Sequence, residues 1–103
     1  MKQIIENKDQ LLLLLKQNGL KIKSFGVESL RLFGSFAKGT PDVESDVDLL
    51  VDFNPDEKNY NNFMDLSFFL EELLGRNVEL VTPQSLNKYI GPHILKHAED
   101  VDI

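Results

Sequence analysis

Asp46 and Asp48 stand two residues apart where an aliphatic run, Val47-Asp48-Leu49-Leu50-Val51, opens. The run is β-branched and bounded by turn-forming residues, so it reads as a strand. Strand side chains alternate faces, which points Asp46 and Asp48 the same way and Val47, Leu49 and Val51 into a core. Two carboxylates on one face repel unless a cation lies between them. Hard oxygen ligands of this kind suit Mg²⁺, whose remaining sites go to waters and substrate phosphates. A pair of such ions about 4 Å apart can activate an attacking hydroxyl and stabilise the leaving oxygen. Asp52 shares the face but lies about 13 Å from Asp48 along an extended strand, outside that shell.

Upstream, Ser29 to Phe33 reads as another strand and runs directly into Gly34-Ser35-Phe36-Ala37-Lys38-Gly39. A strand passing through Gly-Ser into a short helix presents backbone N–H groups and the positive end of a dipole to phosphate. Gly34 allows close approach, Ser35 adds a hydroxyl donor, and Lys38 adds charge one turn later. These residue types also have plainer uses. Asp-x-Asp can be a solvated turn, Ser35 a simple helix cap, and Lys38 a surface lysine. Ser45 fits a role in orienting the turn before Asp46.

The elements that must position these groups follow from periodicity. A helix is predicted over residues 2–18, closed by Gly19 as a left-handed cap. Residues 20–26 read as a connector with room for one helical turn. After the second strand, residues 54–62 are polar and contain Pro55, a loop placed to move over a bound nucleotide. Phe63, Leu66, Phe69, Leu70 and Leu73 repeat at helical spacing and predict a helix over 61–74, stopped near Gly75. Met64 and Phe68 fall on another face of it. A third strand spans 77–81, Thr82-Pro83 opens a helical turn, and a last helix runs from Pro92 to about Ala98. The expected fold is α/β (α+β), a small mixed three-stranded sheet packed with helices, in one domain over residues 1–103.

Gly34-Ser35-Phe36-Ala37-Lys38-Gly39 followed by Ser45-Asp46-Val47-Asp48-Leu49 resembles the signature of the DNA polymerase β-type nucleotidyltransferase superfamily. The short chain is similar to its minimal nucleotidyltransferase (MNT) branch. The resemblance extends through Gly75 to Pro83, where Glu79 holds the place of a third, usually Asp, carboxylate. Lys38 stands where many members carry Arg. The resemblance implies that Asp46, Asp48 and Glu79 are catalytic and ligate two Mg²⁺ ions. It implies that Gly34, Ser35 and Lys38 hold the phosphates of ATP. Small MNT proteins are typically antitoxins paired with a HEPN-domain ribonuclease toxin, which they neutralise by transferring AMP to a tyrosine. Binding the toxin without catalysis, or nucleotidyl transfer to a small molecule, are the alternatives.

Composition limits the partners. The chain has 103 residues, with eleven basic against seventeen acidic, a net charge of −6. Binding a nucleic-acid backbone normally needs a basic stripe, and the lysines here are scattered. A template-dependent polymerase is therefore not expected, nor direct nucleic-acid binding. So short a chain leaves little room for a substrate-recognition domain, so the acceptor must bring its own recognition surface. Surplus apolar residues on the first helix and the 61–74 helix would contact it. There is no cysteine, and Leu11 to Leu15 is too short to span a bilayer, so a cytoplasmic location without membrane contact is expected. His93 and His97 share a helical face at a spacing that can hold zinc, but no third ligand is evident in the sequence.

Overall fold

The computed structural model describes residues 5–42, 45–89 and 91–103. α1 spans Lys8–Gln17 and α2 Gly19–Lys23; β1, Val27–Phe33, runs into α3, Gly34–Lys38. β2 is Val47–Phe53, α4 is Tyr60–Leu74, β3 is Val78–Val81, α5 is Gly91–His97 and β4 is Glu99–Asp100. Single 3₁₀ turns occupy Pro55–Glu57 and Pro83–Ser85.

The sheet is mixed and has four strands in the order β3-β2-β1-β4, where three were expected. β1 pairs antiparallel with both β2 and β4, and β2 pairs parallel with β3. A parallel neighbour needs a crossover, and α4 supplies it. β4 is missing from the sequence reading because a two-residue Glu99-Asp100 strand carries no alternation and no β-branched residue.

The core lies on one sheet face. Leu30 and Leu32 of β1, Val47, Leu49 and Val51 of β2 and Leu80 of β3 meet Leu66, Leu70 and Leu74 of α4. Leu11, Leu15 and Ile22 of the first two helices and Phe36 of α3 complete the cluster. The α4 stripe is as the spacing predicts, with Phe63, Phe69 and Leu73 half-buried along its edges.

Two helix boundaries differ from expectation. α1 begins at Lys8 because the Asn7 side chain accepts the Gln10 N–H at 2.9 Å and caps it there. Residues 2–4 of the longer predicted helix lie outside the described residues. Gly19 is not a left-handed cap; it opens α2. Its small size serves packing instead: a Cβ there would lie 2.7 Å from the Ile103 carbonyl carbon. The caps at Gly39 (φ 75°) and Gly75 (φ 68°) are left-handed, where glycine avoids the steric cost.

Candidate active site

The sheet register builds the site. Phe33 of β1 pairs with Asp48 of β2, and Asp48 pairs with Glu79 of β3, so the three form one row across the sheet. Adjacent strands lie about 4.8 Å apart, which brings the two carboxylates within reach of one another. On one face of β2 Val47, Leu49 and Val51 are buried; on the other Asp48 and Asp52 are half-exposed, with Leu50 buried between them. The Asp48 face is therefore the one opposite the helices of the core.

α3 starts one residue after Phe33, so the same row places Gly34 against Asp48. Gly34 has φ 76°, and a Cβ there would run into the Asp48 carboxylate. Glycine is required twice over, by backbone conformation and by this contact. Among the described residues no side chain caps the first turn of α3. Its first N–H groups have no partner within the helix, and Ser35 is half-buried.

Burial, a side-chain hydrogen bond with Glu79, and the charges of Glu79 and Asp46 together raise Asp48 from its ordinary 3.8 to about 6. A carboxyl in that position is short of positive charge. Asp46 sits on the exposed turn just ahead of β2 and acts on Asp48 through its charge. Among the described residues, no three His, Cys, Asp or Glu side chains stand grouped closely enough to hold one metal ion. The structure thus brings Asp48 and Glu79 together and leaves Asp46 at the edge. The donor chemistry still fits a hard divalent cation: all oxygen, and mutually repulsive until one is supplied.

Asp52, set apart from the metal shell on distance, has its own partners. It accepts a hydrogen bond from Ser29 Oγ at 3.1 Å and lies 3.7 Å from Arg31 Nη2. Ser45 orders the turn before Asp46, where its hydroxyl accepts the Asp42 N–H at 2.9 Å.

Arg76 is the residue that sequence reasoning missed. Its Nε donates to the Ile5 carbonyl at 2.8 Å, and its Nη1 to the carbonyls of Asp42 (3.0 Å) and Ser45 (2.9 Å). Its guanidinium also lies 5.0 Å from the centre of the Phe36 ring. One side chain therefore ties the start of β3 to the turn carrying Asp46 and to the underside of α3. An Arg directly after a helix-capping glycine and before a strand was the available signal.

On the other flank of Gly34 lies a cavity of about 640 Å³, lined by Phe33, Lys38, His93, Ile94 and His97 among others. The α5 histidines thus face the α3 segment.

The arrangement is a Gly-Ser turn beside paired carboxylates on a mixed sheet. The nucleotidyltransferase domain family matches residues 9–101, and the chain belongs to that family. It is 36% identical to a Methanocaldococcus jannaschii protein provisionally named a protein adenylyltransferase, over 97% of this chain and 95% of that one. It is 40% identical to the protein adenylyltransferase MntA of Thermococcus cleftensis, over 70% of this chain and 72% of that one. A solved structure described as a minimal nucleotidyltransferase superposes with a TM-score of 0.76 at 27% identity, covering 95% and 97% of the two chains. At 18% identity the fold is shared, with a TM-score of 0.61 over 87% of this chain and 71% of the other, with a chain of the tri-AMPylated Shewanella oneidensis HEPN toxin in complex with MNT antitoxin.

Proposed function

We propose that this chain is an antitoxin that transfers AMP from ATP to a hydroxyl, a tyrosine of a cognate HEPN-domain ribonuclease toxin, in a Mg²⁺-dependent reaction. The observation that carries this reading is the row Phe33–Asp48–Glu79 with Gly34 pressed against Asp48, which sets the Gly34-Ser35 turn beside paired carboxylates. The names of the relatives support adenylyl transfer to protein, and the toxin complexes sharing the fold support a HEPN partner.

The N–H groups at Gly34 and Ser35, with the Ser35 hydroxyl, hold the nucleotide's phosphates at the end of β1. Lys38 adds positive charge one turn along. Asp46, Asp48 and Glu79 would hold Mg²⁺, which when bound neutralises the phosphate charge and eases deprotonation of the acceptor. Glu79, exposed at the β3 end of the row, accepts the acceptor's proton. The acceptor oxygen forms a bond to the α-phosphorus, the bond from that phosphorus to the bridging oxygen breaks, and pyrophosphate leaves in line. Arg76 fixes the turn that carries Asp46, so it positions a carboxylate without touching substrate.

The exposed apolar side chains of Leu13, Leu20 and Phe68 fit the docking of a partner protein. Among the described residues no helix is long and apolar enough to cross a membrane. The reading places the protein in the cytoplasm, with ATP and toxin as its partners and no direct contact with nucleic acid.

The test is transfer of label from ATP labelled at the α-phosphate onto the toxin. Wild type labels the toxin, and Asp48→Ala does not. Labelling by Asp48→Ala at the wild-type rate would remove the carboxylate assignment.

A further inference from the structure

The α5 side of the cavity beside Gly34 takes no part in the steps above, and the cavity shares Phe33 and Gly34 with the carboxylate row. At about 640 Å³ it is of ligand-binding size. Its ionisable lining is unusual for a chain of net charge −6. Lys38 enters from α3, and His93 and His97 from α5, one helical turn apart with ring centres 4.6 Å from each other. Glu99 of β4 is the carboxylate of the lining, and it lies 2.6 Å from Lys8 Nζ of α1, which matches its charge. The groups left over are three potential cations facing one space.

A metal is the other use of two imidazoles at this spacing. Glu99 is engaged by Lys8, and no third ligand joins the pair among the described residues. An anion suits the set better: imidazole N–H groups and the Lys38 ammonium are hydrogen-bond donors. The cavity also lies on the far side of Gly34 from Glu79, where the acceptor's proton goes. A nucleotide whose α-phosphate sits over the carboxylate row can extend its remaining phosphates toward α5.

We propose that His93 and His97, together with Lys38, form the subsite for the β- and γ-phosphates of the nucleotide and for the pyrophosphate product. This rests on the nucleotidyl-transfer reading for its substrate, but the anion site itself is measured without transfer. Calorimetric titration of the full chain with pyrophosphate and Mg²⁺ is the experiment, on wild type, on His93→Gln/His97→Gln, and on the charge-keeping His93→Lys/His97→Lys. Both histidines are exposed, so the fold tolerates either pair.

The expected result is binding by wild type, weakening by about tenfold or more in the Gln pair, and retention in the Lys pair. In transfer assays the Gln pair raises the KM for ATP more than it lowers kcat. Equal binding by wild type and the Gln pair, or no binding by wild type, overturns the proposal. Pyrophosphate binding that follows the histidines while wild type transfers nothing would retain the anion site and remove the transfer reading. Transfer with an unchanged KM in the Gln pair would do the reverse.

Discussion

Asp48 is the residue on which the site turns. Folding buries its carboxyl beside Glu79 and Asp46 and lifts its pKa from 3.8 to about 6. Between those values the folded chain binds more protons than the unfolded one, so stability falls as pH rises. The contribution is fully present below about 3.8 and is lost as pH passes through about 6. Asp48→Asn removes the charge that causes this. In chelator at pH above 6, its melting temperature should therefore exceed wild type by a few degrees, with the gap closing in acid. A variant less stable than wild type under those conditions would contradict this electrostatic account. On the proposed reading Mg²⁺ competes with the same proton, so its affinity should weaken as pH drops through about 6, measured by calorimetry. Gly34→Ala is strained at φ 76° and drives a methyl into Asp48. It should lower stability by about 1–3 kcal/mol in urea unfolding and reduce transfer as well. The strand that carries Asp48 and the Gly34 turn after β1 were legible in the sequence, because strand parity and the Gly-Ser turn are local. That Asp48 and Glu79 share a register, while Asp46 stays on the exposed turn, was not. Register between distant strands is set by tertiary pairing.

Among the elements, the Arg76 tether joins β3, α3 and the turn before β2. Lysine keeps the charge but loses the planar fork that serves three carbonyls. Arg76→Lys should therefore lower kcat several-fold and leave the KM for ATP nearly unchanged; an unaltered kcat would show that the turn holds without it. Gly75→Ala, at the left-handed cap of α4, should cost about 1 kcal/mol in urea unfolding. The long helix, β1, the Gly-Ser helix and β2 were readable because their apolar periods are strong and their ends carry Gly or Asn. Arg76 escaped because its three acceptors are backbone carbonyls, each more than 30 residues away. Gly19 was misjudged because a glycine after a helix reads as a cap, whereas here the returning C-terminus needs the room.

The whole molecule is a four-stranded sheet with its helical core on one face and the site at one end of the other. Its acidic surface gives no electrostatic footprint for nucleic acid. Two of its exposed apolar side chains, Leu13 on α1 and Phe68 on α4, are proposed to contact the toxin. Leu13→Asp/Phe68→Asp should weaken the complex by about tenfold or more in pull-down or calorimetry and leave pyrophosphate binding intact. Sequence periodicity foresaw surplus apolar residues on these two helices. It could not say which stayed exposed, because Leu11 and Leu15 beside Leu13 are fully buried. The central claim is transfer of AMP to a HEPN-domain partner, and intact-mass spectrometry reads it directly. The toxin is incubated with this chain, Mg²⁺ and ATP, alongside an Asp46→Asn/Asp48→Asn control. The account predicts toxin carrying one or more AMP units with wild type and none with the control. A stable complex with no mass gain from ATP or any other nucleoside triphosphate would contradict it.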